Sequence, residues 1–224
     1  MSLFSRKSPF SQRSDVSNKI REECTHLKTM KTRGELGKVI ASIVLTYSPR
    51  DLEQMRWNFS EKIRDYTPEY RKRLEETITA HLHGTFQTIR LMNQQGSFQA
   101  MNDLIANNAD EYWDMVLTQC TLGDDGDTLR YLKYLLSGFC MLVEQVPGHP
   151  VGMPFPGGDK VDLIDGIYYC PVRTKSNDVD EALCPFCPAM QTPDIGYLKP
   201  PVHASKNKKQ EYIKNCYDHH HFNG

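Results

Sequence analysis

The sequence has no long apolar run. No segment of its 224 residues approaches the roughly 18 to 20 apolar residues that cross a bilayer, so no membrane contact is expected. An apolar stretch is also missing behind the first basic residues. Residues 1–14 are rich in Ser and Arg and carry no acid, which does not fit a secretory signal. Organellar transit peptides share that composition, and a disordered basic tail is the reading adopted. Net charge is nearly absent, because 27 Lys and Arg against 28 Asp and Glu leave −1. No global field therefore draws the chain to nucleic acid or membrane. There is no internal repeat and no long low-complexity tract. The seven cysteines are an odd number without an export signal, which argues against a disulfide framework and for reduced thiols in a cytoplasmic setting.

What is present begins with helical periodicity. With 39% hydrophobic residues and a mean hydropathy of −0.57, the chain suits one sizeable domain with a modest core. Ser14 or Ser17 is expected to cap a first helix running to about Met30, with Ile20, Cys24 and Leu27 on one face. Arg33-Gly34 reads as a break, after which Leu36, Val39, Ile40, Ile43, Val44 and Tyr47 recur at helical spacing. Ser48-Pro49 and Thr67-Pro68 read as helix starts, since proline at the first helical position has no N–H to leave unpaired. The long helix after Thr67 is expected to end at Gln94-Gln95-Gly96. Ser97 then caps a helix through Phe98, Met101, Leu104 and Ile105 that bends near Asn107-Asn108 and continues past Trp113. A last helix runs from about Leu129 to Val143 and stops at Pro147-Gly148. The sum is about six helices over residues 15–146, an all-α bundle.

After Pro147 the pattern changes. Most of the thirteen prolines lie between residues 147 and 201, and helical periodicity stops. A short β-hairpin around Asp165-Gly166 is expected within a largely irregular segment over 147–198, which has to lie against the bundle, be pinned by a metal, or both. Residues 199–224 read as a polar tail.

The chemistry is concentrated here. Cys170, Cys184 and Cys187 fall within eighteen residues, and each is followed by proline. A Cys-x-x-Cys pair sets two thiolates on one tight turn, and the thirteen residues between Cys170 and Cys184 form a loop that folds back without strain. A closed site needs a fourth ligand: Cys216 or His149, with His203 and Cys140 as further alternatives. Thiolates suit Zn²⁺ and a four-iron–four-sulfur cluster alike. Pro188 stands where zinc ribbons usually carry glycine, which tilts the reading toward a cluster or an atypical zinc site. Two other classes of function compete. Cys184-Pro185-Phe186-Cys187 matches a glutaredoxin-type dithiol, though it follows helices rather than a first strand. The basic N-terminal arm, with eight Lys and Arg against three acids over residues 1–33, is a candidate surface for RNA or a protein partner.

Other motifs are read as structural. His81 and His83 stand two apart on a helix and diverge. Asp124-Asp125-Gly126-Asp127 lacks the acid that closes a calcium loop and reads as a helix cap at Asp125 or Asp127. Pro156-Gly157-Gly158 is a turn able to offer N–H groups to an anion beside Lys160. His219 to His221 lie in the tail, and Cys24, Cys120 and Cys140 pack as small hydrophobes.

The ordered succession His149-Pro150-Val151-Gly152, Pro154-Phe155-Pro156-Gly157-Gly158, Tyr169-Cys170-Pro171-Val172-Arg173 and Cys184-Pro185-Phe186-Cys187-Pro188-Ala189 resembles a conserved, uncharacterised family of methanogenic archaea. The resemblance covers residues 147–191 and the helix-rich region upstream. It implies an archaeal cytoplasm, where iron–sulfur proteins abound, and it implies no reaction. It carries Cys170, Cys184, Cys187 and His149 as candidate site residues and does not reach Cys216.

Overall fold

Two prolines act as expected. In the computed structural model, which describes residues 9–121, 127–155, 158–174 and 183–192, Pro49 and Pro68 each open a helix. The elements are α1 (Pro9–Lys28), α2 (Arg33–Val44), α3 (Pro49–Lys62), α4 (Pro68–Gln95), α5 (Ala109–Thr121) and α6 (Thr128–Gly138), then β1 (Asp162–Ile164), β2 (Ile167–Cys170) and β3 (Met190–Gln191). The protein is mainly α, as its periodicity predicts. No helix among the described residues is long and apolar enough to cross a membrane. Residues 1–8 and the tail from 193 onward, with Cys216, His203 and His219 to His221, lie outside the described residues.

Local signals set several boundaries. Gly96 ends α4 in the left-handed region at φ +69°, where glycine has no Cβ penalty. Asp127 caps α6, its carboxylate accepting from the Arg130 N–H at 2.8 Å. At α3, Ser48 and Asp51 form a reciprocal capping box. The Ser48 hydroxyl donates to the Asp51 carboxylate at 2.7 Å, and that same carboxylate also accepts the Ser48 N–H. α1 starts at Pro9, earlier than a cap at Ser14 or Ser17, since proline is tolerated in a first turn.

Tertiary contacts overrule the expected pattern in two places, and a third departs only in helix type. Arg33-Gly34 does not break the chain but opens α2, behind a reciprocal cap between Thr32 and Glu35. A Cβ on Gly34 would lie 2.2 Å from the Phe98 carbonyl oxygen and 2.7 Å from that of Met101, so glycine allows the close approach. The helix expected from Ser97 is instead a single 3-10 turn (Ser97–Ala100) followed by extended chain. Its carbonyls are used elsewhere: Asp103 accepts from Arg33 N–H and Met101 from Gly34 N–H, each at 2.9 Å. Leu104 is consequently 76% exposed. Finally, α6 passes into a π-helical turn over Phe139–Glu144.

The buried side chains form two clusters. The larger draws on all six helices, Leu52 and Met55 of α3 and Phe86 and Ile89 of α4 among them, and includes Trp113, Tyr112, Leu132 and Cys24. The smaller joins Phe59, Ile63, Leu74 and Ile78, from α3, α4 and the turn after α3, to Met153, Phe155, Val161, Cys170, Val172 and Ala189. The C-terminal segment thus builds most of its core against α3 and α4, while Leu183 enters the larger cluster and Phe186 stands edge-on to Tyr112. Its sheet has the order β1-β2-β3. The antiparallel hairpin at Asp165-Gly166 is as expected, and a parallel β3 pairs Tyr169 with Met190 and Cys170 with Gln191.

Candidate metal centre

Cys170 ends β2, and its carbonyl accepts from Thr192 N–H at 3.2 Å, which fixes the strand end beside the second cysteine motif. Cys184 opens a 3-10 turn (Cys184–Phe186) whose proline pre-sets φ, and Cys187 closes it by donating its N–H to the Cys184 carbonyl at 3.1 Å. His149 packs edge-on against the Phe155 ring with centroids 6.4 Å apart. These four residues line one recess of about 10 Å³, together with Pro147, Gly148, Val161, Arg173 and Leu183. That is the space of one water-sized occupant. Among the described residues, no three His, Cys, Asp or Glu side chains are gathered closely enough to surround an ion. The structure therefore brings Cys170, Cys184, Cys187 and His149 to one recess without drawing them into a ligand shell.

Backbone dipoles converge on two of the sulfurs. The Val172 N–H donates to the Cys170 sulfur, and the N–H groups of Ala189 and Gly148 donate to that of Cys187. In both cases one donor lies two residues beyond the cysteine, and such donors favour thiolate over thiol. Burial is the stronger effect. It pushes the Cys170 thiol up to about 12, with the neighbouring Cys184 and Cys187 adding to the rise. Cys187 is also raised by burial, against the pull of its N–H donors and of the Arg173 guanidinium. Arg173 is held in place by donating from Nε to the Ala189 carbonyl at 3.1 Å.

Sequence reasoning did not foresee what lies behind the recess. His81 on α4 places Nε2 at 3.2 Å from the Gly148 carbonyl and 3.8 Å from the Cys140 sulfur. A carbonyl accepts only, so Nε2 carries the proton. Burial holds the pKa of His81 below its ordinary value. Thr85 Oγ1 lies 3.5 Å from the Cys140 sulfur, and burial lifts that thiol to about 11. Gly148 thus accepts from α4 through its carbonyl and donates toward Cys187 through its N–H. The helical spacing of His81 and His83 signals divergence, which holds, since His83 turns toward Glu53. No local signal marks His81 as the residue that meets Gly148, 67 positions away.

A mainly α protein with a cysteine- and histidine-lined recess under its C-terminal cap is the class that fold and site define. The chain belongs to the family described as "Uncharacterized protein conserved in archaea (DUF2115)", whose profile matches residues 32–192. That span holds His149, Cys170, Cys184 and Cys187 and stops short of Cys216. Among its relatives, a UPF0305 protein of Methanothermobacter thermautotrophicus is 53% identical over 51 residues, covering 23% of this chain and 33% of the relative. One of Methanopyrus kandleri is 34% identical over 71 residues, 32% of this chain and 50% of the relative. One of Methanocaldococcus jannaschii is 27% identical over 165 residues, 70% of this chain and 94% of the relative. The aligned stretches thus span a third to a half of the first two relatives and nearly all of the third. No solved structure matches the chain significantly.

Proposed function

We propose that the protein binds a single zinc ion through Cys170, Cys184, Cys187 and His149, and that the ion pins the C-terminal cap to the bundle. The observation that carries this reading is the shared recess, which all four residues line. Three thiolates and one imidazole are a zinc ligand set. A recess of about 10 Å³ suits one ion better than a four-iron–four-sulfur cluster. Three thiolates around Zn²⁺ leave one net negative charge, and the Arg173 guanidinium beside Cys170 and Cys187 offsets it. Ligation requires the side chains to turn inward and shed their protons, so affinity rises with pH. Cys216 remains a rival fourth ligand. The role supported is structural, since a site closed by four protein ligands leaves no position for substrate.

Thiol exchange at Cys184 and Cys187 is the alternative. It needs a nucleophile with lowered pKa, and burial moves Cys187 the other way. Anaerobic purification with metal analysis tests the proposal. One zinc per chain is expected, with loss of the metal in Cys184→Ser and Cys187→Ser. Iron with absorbance at about 400 nm would mean a cluster instead. Fully folded, metal-free protein would overturn metal binding altogether, and retention of zinc by His149→Ala but not Cys216→Ala would reassign the fourth ligand.

A further inference from the structure

The π-helical turn after α6 delivers the chain to the recess. It closes at Gln145, whose backbone lies in the left-handed region at φ +59°, and the N–H groups of Gln145 and Val146 both reach the Cys140 carbonyl. The reversal brings Gly148 to α4, where His81 and Thr85, one helical turn apart, share a face. Thr85 Oγ1 and His81 Nε2 stand 3.5 Å and 3.8 Å from the buried Cys140 sulfur. The imidazole is thereby seated between the π-helical turn and the Gly148 carbonyl, to which Nε2 donates at 3.2 Å. Gly148 is closely packed as well: a Cβ there would lie 3.2 Å from the Met141 sulfur and 3.6 Å from Leu183 Cδ1.

Gly148 faces the recess in two ways. Its N–H donates to the Cys187 sulfur, and its carbonyl lies in the same planar peptide unit as the N–H of His149. Glycine has no side chain to restrict its backbone angles, so its orientation depends on what its N–H and carbonyl bond. We infer that His81 is a positioning residue of the recess: by holding the Gly148 carbonyl it aims the Gly148 N–H at the Cys187 sulfur and sets the backbone from which His149 projects. Its Nε2 proton is committed to that carbonyl, so His81 acts through Gly148 and not as a ligand through this nitrogen. The inference rests on the zinc reading for its effect on affinity, but not for the placement of Gly148. Removing an outer partner of this kind typically costs about 10- to 100-fold in metal affinity.

The test compares, in the full chain at neutral pH, His81→Leu, which removes the donor, with His81→Gln, which keeps one. Leucine and glutamine both favour helix, so α4 is retained in each. Zinc affinity is read by competition with a chromophoric chelator, and ligand geometry from the visible bands of the cobalt(II)-loaded protein. His81→Leu is expected to weaken zinc by about 10- to 100-fold and to displace the cobalt bands. His81→Gln should bring both back toward the parent values. Leu74→Ala, two turns earlier on α4, loosens the smaller cluster and serves as the control. It should lower zinc affinity through stability alone and leave the cobalt bands in place. Unchanged affinity and bands in His81→Leu, no recovery in His81→Gln, or equally displaced bands in Leu74→Ala would each overturn the inference. A parent chain that binds neither metal counts against the zinc reading instead, and the metal-free protein then decides the positioning. There the backbone amide resonances of Gly148 and His149 should move in His81→Leu and return in His81→Gln, and amides that stay in place would overturn it.

Discussion

The helical bundle and the C-terminal cap bury their side chains by different means. Around Trp113, Tyr112 and Leu132 most contacts are helix on helix, supplied by long amphipathic stripes, although Leu183 of the cap joins this cluster and Phe186 stands edge-on to Tyr112 with ring centroids 5.1 Å apart. The cap has strands of three, four and two residues and draws four of the ten buried residues of its cluster, Phe59, Ile63, Leu74 and Ile78, from the helical part. Such short strands are not stable alone. The cap therefore leans on the bundle, through α3 and α4 and through Leu183 and Phe186, more than the bundle leans on the cap, and the proposed ion would act on that weaker side. An ion at the recess would join β2 to the Cys184–Cys187 turn, two pieces that share only short pairings otherwise.

The comparison can be broken most forcefully from the bundle side. Trp113 is fully buried against Tyr112, with ring centroids 4.9 Å apart, and Trp113→Ala is expected to cost about 3 to 5 kcal/mol. Denaturant unfolding should show bundle and cap lost together. If the cap kept its structure while the bundle melted, its dependence on α3 and α4 would be wrong. The converse substitution, Phe155→Ala, removes a buried ring from the smaller cluster and should cost about 3 kcal/mol. Here the loss should be local. Amide exchange should quicken over residues 150–172 while α5 and α6 keep their protection, and equal quickening everywhere would merge the two regions into one unit.

Whatever was legible in the sequence was local. Ser48-Pro49, Thr67-Pro68, Gly96 and Asp127 carry boundary signals in their own chemistry, and the hairpin at Asp165-Gly166 follows from its turn residues. The stretch from Phe98 to Ile105 has helical spacing but not a helix, because Met101 and Asp103 give their carbonyls to Gly34 and Arg33. Nothing within that stretch encodes such partners. The candidate site divides likewise. Proline-flanked cysteines single out Cys170, Cys184 and Cys187 in the sequence, and the fold sets them with His149 around one recess without gathering them into a ligand shell. The backbone donors to two sulfurs and the Arg173 clamp depend on how the C-terminal segment folds back on itself, and the approach of His81 on how that segment meets α4; no spacing specifies either.

A smaller effect sharpens the comparison at α3, which like α4 contributes to both clusters. Leu52 and Met55 enter the larger cluster and Phe59 the smaller. Asp51 ties down the first turn through the Ser48 N–H and hydroxyl, which hold its pKa below the ordinary value. Its contribution is present above 3.8 and is lost as pH falls through the lower folded value. Asp51→Ala is expected to cost about 1 kcal/mol, the usual scale of a lost cap. Because α3 serves both regions, equilibrium unfolding followed by bundle and cap probes should shift equally. A shift in one alone would assign α3 to that region.

The finest probe is His81, which lies on the border itself. Burial lowers its pKa from 6.5, although its bond to the Gly148 carbonyl pulls upward. As pH falls below 6.5 the unfolded chain takes a proton that folded His81 resists, so the stability it lends is present above 6.5 and lost with acid. The bond at stake joins α4 to the segment carrying His149, so acid should loosen the cap before the bundle. The measurement is amide exchange of metal-free protein at about pH 5 and 7, so that ligand protonation plays no part. Over residues 147–155 and 183–192 exchange should quicken in acid while α5 and α6 stay protected. His81→Gln keeps an N–H donor and cannot titrate in this range, so it should abolish the difference. Persistence of the acid effect in that variant would show that the border is held by something other than His81.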